Sequence, residues 1–329
     1  MTASRHELYA GRRVLTIGGL GYLGWHLTTA LLEAGADVTV VTPLRERHTD
    51  RAGACEARGA RVIEADVRDA AAMRDAVRGQ TVAFNVSGQS GALRSVHEPA
   101  ADLDVNCAGS LAVLEALRRE SPVAKLVFAG SRLAYGAARA LPVSEEHPLA
   151  PLCPHGAHKV MVEQYLAIYG HLYGIRTTSL RITNPYGPGQ PADRSAYGVI
   201  NYLIHRALAG ESLPIYGDGT QLRDYVYVND VVDAMLLAGT SAASDGRVYN
   251  IGSGIGTSLV DTARLIIDTA GGGHIEHLPW PPLVQAIDTG DFVADVSRVA
   301  AELGWRPTVA LADGLQRTVA ASMARSAER

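Results

Sequence analysis

Short apolar runs and longer stretches with helical periodicity alternate along the first half of the chain. The apolar runs are rich in β-branched residues, which is typical of strands buried in a parallel sheet. They lie at 12–17, 37–42, 60–65, 81–86, 125–129 and 177–182. Between them, apolar residues three or four positions apart predict helices near 22–34, 69–78, 99–119 and 155–173. This alternation predicts an α/β fold with a Rossmann-type, doubly wound parallel sheet.

The pattern loosens in the second half of the chain, where glycine and proline clusters interrupt it. The elements expected there include a helix near 197–210 and short strands at 213–216 and 224–228. We therefore place a cofactor-binding domain at 1–183 and a smaller, mainly substrate-binding lobe at 184–329, with segments near 224–260 returning to the first domain. Open α/β sheets bind ligands at the carboxyl ends of their strands, so the lobe is expected to cover that edge.

Composition narrows the class of protein further. With 329 residues, 47% of them hydrophobic and 19% charged, the chain is typical of a soluble protein of the size of an enzyme and too apolar to be disordered. The formal net charge of -4 comes without a basic stripe, so no nucleic-acid partner is expected. The chain has neither a signal-peptide core nor an apolar run long enough to span a bilayer, which predicts a cytoplasmic protein without membrane contact.

The three cysteines are Cys55, Cys107 and Cys153, and their spacing suits neither a metal cage nor a disulfide framework. We therefore expect no metal and a reducing environment.

Gly18, Gly21 and Gly24 form a G-x-x-G-x-x-G motif between the first predicted strand and the first predicted helix. Glycines at these positions allow a tight turn and let the backbone approach a pyrophosphate, whose charge faces the positive end of the helix. The motif in this position predicts a dinucleotide-binding site.

The choice between NAD and NADP stays open in the sequence. Thr42 ends the second strand, where an acidic residue would hold the adenosine ribose of NAD. Arg45 and Arg47 follow, and they could contact the extra phosphate of NADP or be solvated loop charges.

The chain resembles the extended short-chain dehydrogenase/reductase family, specifically its nucleotide-sugar epimerase/dehydratase group, which includes UDP-galactose 4-epimerases. The motifs that carry the likeness run nearly end to end: GGLGYLG, EADVRD, FAGSRLAYG, LRITNPYGPGQ, PIYGDGTQLRDYVYVNDVVDAM, YNIGSG and ELGWRP. Together with the turn above, the resemblance implies that the cofactor contacts Gly18, Gly21, Tyr22, Leu23, Gly24, Thr42, Arg45, Asp66, Val67, Ser87 and Lys159. It implies a nucleotide-sugar substrate that contacts Gln89, Asn184, Tyr216 and Arg223.

The resemblance also implies a homodimer in which the helices near 99–119 and 155–173 pair with their copies. The apolar candidates for that contact, which could equally face the sheet, are Leu111, Leu114, Val160 and Leu166.

In the family a Y-x-x-x-K pair moves the proton, and here His155 occupies the tyrosine position with Lys159 retained and Ser131 on the catalytic serine or threonine. A histidine has an ordinary pKa of about 6.5, so a neutral imidazole can serve as a general base. The resemblance therefore implies Ser131, His155 and Lys159 as catalytic residues. An inactive, cofactor-binding relative is the alternative. Cys153 and His158 could assist, but we expect them to be packing or surface residues.

The resemblance also bears on the reaction. Dehydratases and decarboxylases of the family need an acid in the segment corresponding to GSRLAYG, where this chain has Arg132 and Leu133. The absence of an acidic residue in this segment argues against elimination chemistry. What remains is NAD(P)-dependent epimerisation by reversible hydride transfer at a sugar carbon or, alternatively, reduction of a nucleotide-ketosugar by NADPH.

Polar and charged residues of the smaller lobe are expected to hold the nucleotide diphosphate. Asn184 and Arg223 match family residues with that role, although Arg223 could instead pair with Asp218 or Asp224. Asp288 lies where many relatives carry a second phosphate-binding arginine. Because an acid repels a diphosphate, this implies either a shifted diphosphate or a substrate with less negative charge.

Overall fold

A computed structural model describes residues 5–43, 45–89, 91–191 and 198–327. Its strands are β1 (Arg13–Ile17), β2 (Asp37–Thr42), β3 (Arg61–Glu64), β4 (Val82–Asn85), β5 (Lys125–Ser131), β6 (Arg176–Ile182), β7 (Asn184–Tyr186), β8 (Ser212–Tyr216), β9 (Leu222–Tyr227), β10 (Arg247–Ile251), β11 (Gly256–Ser258) and β12 (His274–Leu278). Its helices are α1 (Arg5–Tyr9), α2 (Tyr22–Glu33), α3 (Thr49–Glu56), α4 (Ala70–Val77), α5 (Ala92–His97), α6 (Pro99–Leu103), α7 (Gly109–Glu120), α8 (Pro154–Tyr173), α9 (Val199–Leu208), α10 (Val228–Thr240), α11 (Leu259–Ala270), α12 (Pro282–Ala286), α13 (Ser297–Leu303) and α14 (Leu311–Ala327). A π-helical turn, Asp104–Ala108, joins α6 to α7.

The central sheet has seven parallel strands in the order β10-β6-β5-β4-β1-β2-β3. The inner strands β1, β2 and β4 are buried on both faces because their side chains are mostly apolar or β-branched, whereas the edge strand β3 is partly exposed. All six strands expected in the first half are present, and β10 adds the seventh from the second half of the chain. The strand order reverses between β1 and β4, which opens a crevice at their carboxyl ends where such sheets bind ligands.

Helices cover both faces of this sheet and form two cores. One core includes Leu27 of α2 and Met235 of α10, and the other includes residues of α4, α7 and α8. Leu114 and Leu166 are buried in the second core, so of the two alternatives left by the sequence they face the sheet and not a second subunit. Helical periodicity had placed them on an apolar face, and the sheet covers that face.

The smaller lobe contains a three-stranded sheet, β11-β9-β7, and a two-stranded sheet, β12-β8. Helices α9, α11 and α14 pack on these sheets around a separate core. Strand β7 follows directly on β6, so the lobe begins at the carboxyl edge of the central sheet. The first residue of the helix expected at 197–210 lies outside the described residues, and α9 begins at Val199. No helix in the described parts of the chain is long and apolar enough to cross a membrane.

Candidate active site

The glycine motif forms a cradle of bare backbone between β1 and α2. Gly18 has a φ of +83°, and a Cβ at this residue would lie 2.8 Å from the backbone of Ser87. A Cβ at Gly24 would collide with the carbonyl oxygen of Gly18. Helix α2 begins at Tyr22, and Gly21 caps it without a side-chain hydrogen bond. The helix N-terminus therefore presents its free N–H groups next to this turn, as an anion site requires.

The residues expected to contact the adenosine part of the cofactor lie at the end of β2 or shortly after β2 and β3. Thr42 is buried at the end of β2. Arg45 forms an ion pair with Glu56 at 2.8 Å, which offsets the charge that an additional phosphate would need. Asp66 accepts hydrogen bonds from the Arg68 side chain at 2.8 Å, and these bonds lower the pKa of Asp66. The neighbouring Val67, also expected at the adenine, is buried.

His155 lies in the first turn of α8 and contacts a buried carboxylate. Its Nδ1 is 3.3 Å from Oδ2 of Asp102, while Nδ1 of His158 is 2.6 Å from Oδ1 of the same side chain. Asp102 has no exposed surface, and His155 is 6% exposed. The expectation that His158 only packs or faces solvent is therefore wrong, because it shares the Asp102 carboxylate with His155.

This cluster sets the protonation of His155. Burial opposes the ionisation of Asp102, but hydrogen bonds from the two imidazoles outweigh it and lower the pKa of Asp102. Burial also lowers the pKa of His155, although its hydrogen bond to Asp102 acts in the opposite direction. An ionised carboxylate only accepts hydrogen bonds, so each neutral imidazole must carry its proton on Nδ1. His155 therefore keeps an unprotonated Nε2, as a general base requires.

Lys159 lies one turn further along α8, and burial lowers its pKa to about 8. Its Nζ donates to the carbonyl of Ala129 at 3.0 Å. Asn106, in the π-helical turn, donates to the carbonyl of Gln89 at 3.2 Å, and its buried Oδ1 has no partner among the described residues. A Cβ at Gly88 would collide with that Oδ1 and lie 3.7 Å from Nζ of Lys159. Asn106 and Lys159 thus converge on one backbone segment.

Sequence reasoning missed Asp102 and Asn106. Both are polar, lie one turn apart and interrupt a helix expected to pack on an apolar core. That spacing was the available signal. It could not indicate that the pair meets α8.

Ser131 ends β5, and its Oγ accepts a hydrogen bond from the backbone N–H of Leu133 at 3.2 Å. The turn that follows packs against the start of α8, because a Cβ at Gly156 would collide with the carbonyl of Leu133. Ser131 and His155 therefore belong to two segments in contact. Cys153, just before α8, is buried, and burial raises the pKa of its thiol.

The residues expected at the diphosphate gather around Arg132. Asn184 accepts from the Arg132 guanidinium at 3.3 and 3.4 Å and donates to the carbonyl of Asp224 at 2.8 Å. Arg223 forms an ion pair with Asp288 at 2.5 Å. The alternative pairing of Arg223 with Asp218 or Asp224 is therefore wrong.

Two further residues expected at the substrate lie apart from this group. Tyr216, at the end of β8, packs its ring against Trp280 with centroids 5.4 Å apart. Gln89 lies near Asn106, and its buried Nε2 has no partner among the described residues.

The family model described as the NAD-dependent epimerase/dehydratase family matches residues 14–252. The chain belongs to this family. A putative UDP-glucose 4-epimerase from Methanocaldococcus jannaschii is 34% identical over 310 residues, which cover 93% of this chain and 97% of the relative.

Solved structures of the epimerase/dehydratase family agree with the fold. The UDP-glucose 4-epimerase of Thermus thermophilus in complex with NAD is 33% identical with a TM-score of 0.85, covering 94% of this chain and 98% of that one. The UDP-glucose 4-epimerase of Thermotoga maritima with UDP-glucose is 32% identical with a TM-score of 0.87, covering 95% and 99%. The resemblance inferred from the sequence and the Rossmann-type fold are both confirmed.

The site residues of this family member fit NAD. The glycine cradle and the N-terminus of α2 suit a pyrophosphate, and a Cβ in the cradle would fill the space. The buried Oδ1 of Asn106 and Nε2 of Gln89 lack protein partners in the described chain, so both can bond to a ligand. The buried ammonium of Lys159 has three donors, of which the carbonyl of Ala129 takes one. That His155 takes over the catalytic role of the family tyrosine stays a prediction.

Proposed function

We propose that the protein is an NAD-dependent nucleotide-sugar 4-epimerase in which His155 transfers the proton. The observation that carries this proposal is the hydrogen bond between His155 and the buried Asp102 at 3.3 Å. A side chain kept only as a remnant would not need a buried carboxylate to orient it, whereas a base does. The likeness to UDP-glucose 4-epimerases over more than nine-tenths of the chain supports the reaction class.

Bound NAD would supply the hydride acceptor. Nε2 of His155 takes the proton of a sugar hydroxyl as the carbon is oxidised and returns a proton when the carbon is reduced. Asp102 holds the Nδ1–H tautomer and stabilises the imidazolium that forms in between. The hydroxyl of Ser131 orients the sugar oxygen. Lys159, with a pKa of about 8, contributes positive charge and donors next to Asn106.

We propose that the protein binds NAD in preference to NADP. NADP would need an uncompensated cation near the end of β2, and the ion pair of Arg45 with Glu56 offsets one of the two candidates, Arg45 and Arg47. This weighs against the alternative of an NADPH-dependent ketosugar reductase. Mass spectrometry of ligands released from the purified protein tests the choice directly, because an epimerase retains its cofactor through each cycle.

The experiment that tests the function replaces His155. We expect His155→Phe to lose about 10²- to 10⁴-fold in the interconversion of UDP-glucose and UDP-galactose, with NAD binding retained, because a positioned proton carrier is removed. His158→Phe is the matched control and should lose far less. Proton NMR of the sugar anomeric signals measures the reaction. Full activity in His155→Phe would contradict the proposal, and a wild type inert towards UDP-glucose, UDP-N-acetylglucosamine and UDP-glucuronate alike would indicate the catalytically silent relative.

We further propose that α8 contributes to a homodimer through its outer face. Met161, Ile168 and Leu172 are 36%, 46% and 59% exposed and lie at spacings of seven and four, which puts them on one stripe. Exposed apolar stripes of this kind mark helix-to-helix contacts. We expect Ile168→Glu to shift the protein to a monomer in light scattering. Val123→Glu, at another exposed apolar residue, should leave the mass unchanged; a monomeric wild type would refute the proposal.

A further inference from the structure

Arg132 is a buried cation at the candidate substrate site that the proposed proton transfer does not use. It is 8% exposed, and its guanidinium lies over the ring of Phe292 at 5.2 Å. It donates to Oγ1 of Thr289 at 2.8 Å and to Oδ1 of Asn184 at 3.3 and 3.4 Å. Both acceptors are neutral. The carboxylates of Asp288 and Asp224 act on the guanidinium through space and raise its pKa, but neither forms an ion pair with it in the described chain.

The guanidinium has donors to spare. An arginine carries five N–H groups, and the bonds to Thr289 and Asn184 use three of them. Burial, reinforced by the positive charge of Arg223, lowers the pKa of Arg132 to about 10, so the group is still charged at neutral pH. A buried charge without an ion-pair partner is costly, so a ligand that brings a negative charge to it is favoured.

The neighbouring arginine differs in this respect. Arg223 pairs with Asp288 at 2.5 Å and donates to the carbonyl of Gly290 at 2.6 Å. Asp288 thereby pairs with Arg223, whereas Arg132 has no ion-pair partner in the described part of the chain.

Arg132 is also held in place. Asn184 is fixed between Arg132 and the carbonyl of Asp224, while Phe292 supports the guanidinium plane. A planar, immobilised fork binds carboxylate and phosphate oxygens with little further loss of entropy. Arg132 directly follows Ser131 in the chain, so one segment carries both residues.

We infer that Arg132 binds an oxyanion of the substrate, supplying the positive charge that Asp288 removes from Arg223. The oxyanion is either a phosphate of the nucleotide diphosphate or a carboxylate on the sugar. The inference rests on the proposed function, since it takes the substrate to be a sugar nucleotide. It makes Arg132 a residue that determines which sugar nucleotide is bound.

Calorimetry with UDP, UDP-glucose, UDP-glucuronate and inorganic pyrophosphate tests this inference on the wild type and on Arg132→Gln. We expect Arg132→Gln to bind the ligand that carries the oxyanion about 10- to 100-fold more weakly than the wild type, the range for a charge-assisted hydrogen-bonded pair. An equal loss for all three nucleotides assigns the oxyanion to the diphosphate, and a loss confined to UDP-glucuronate assigns it to the sugar. Arg247→Gln, at an exposed arginine paired with Glu302, is the control and should bind like the wild type.

Arg132→Lys keeps the charge without the fork and should retain part of the affinity, which covers the case in which Arg132→Gln does not fold. Unchanged affinity of both variants for all four probes would overturn the inference. If the wild type binds no sugar nucleotide but binds pyrophosphate through Arg132, the proposed function fails and the oxyanion site stands. If no probe depends on Arg132, the inference fails whatever the function.

Discussion

Replacing Asp102 with asparagine separates a positioning role of this residue from a merely structural one. Each Asp102 oxygen accepts one imidazole Nδ1–H, from His155 at 3.3 Å and from His158 at 2.6 Å. An asparagine of the same shape offers one acceptor and one donor. One imidazole must then move its proton to Nε2. When that imidazole is His155, its Nε2 carries a proton and can no longer act as the general base.

The expected magnitude has two parts. A hydrogen bond to a charged group is worth about 1.5–3 kcal/mol, against about 0.5–1.5 kcal/mol between neutral groups, so the imidazolium formed on His155 loses about 1–2 kcal/mol of stabilisation. Competition between the two imidazoles for the single acceptor adds to this loss. Together they give a decrease of about 10- to 100-fold in kcat for Asp102→Asn. Asp102→Asn combined with His158→Phe should recover several-fold, because His155 then has the acceptor to itself.

The pH profile supplies a readout that a structural defect would not move. His155 acts as a base when neutral, so activity is lost as pH falls through its pKa, which burial places below the ordinary value. The hydrogen bond to Asp102 raises that pKa, so in Asp102→Asn the acidic limb of kcat/KM should move to lower pH. Sugar-nucleotide interconversion measured between about pH 4.5 and 8 tests this. An Asp102→Asn variant within twofold of the wild type and with an unmoved acidic limb would refute the reasoning.

Two further predictions concern the cofactor cradle and the core beneath α8. Gly24→Ala should abolish tight NAD binding in calorimetry, because the added Cβ would collide with the turn. The control is Gly53→Ala in α3, where a Cβ would have nothing within 4 Å; it should leave NAD binding intact and add about 0.5–1 kcal/mol to the free energy of unfolding. Equal NAD affinity of the two variants would count against the cradle. Glu163→Gln should lower the free energy of unfolding in urea by about 3–5 kcal/mol, because it breaks a buried ion pair with Arg181 at 2.6 Å. A loss under 1 kcal/mol would show that this pair is not isolated from solvent.

Local sequence pattern was sufficient to predict the strands β1 to β6, the longer helices between them and the position of the cofactor turn. Runs of β-branched residues that alternate with helical segments are typical of a parallel sheet buried on both faces, so β1 to β6 could be assigned from composition and period. The glycines of the turn are equally local, since the backbone geometry they allow depends on few neighbours. Motif spacing along the chain also sufficed for the family resemblance that the comparisons confirmed.

Which polar groups meet depends on the packing of distant elements and could not be predicted from local sequence. His155 contacts Asp102 across 53 residues, and Arg132 contacts Thr289 across 157. A helical period indicates which face of an element is polar, but the partner of that face depends on the packing of distant elements, and several carboxylates were available to each cation. The same reason explains Arg223, which pairs with Asp288 rather than with its neighbour Asp224, because side chains of adjacent strand residues point to opposite faces.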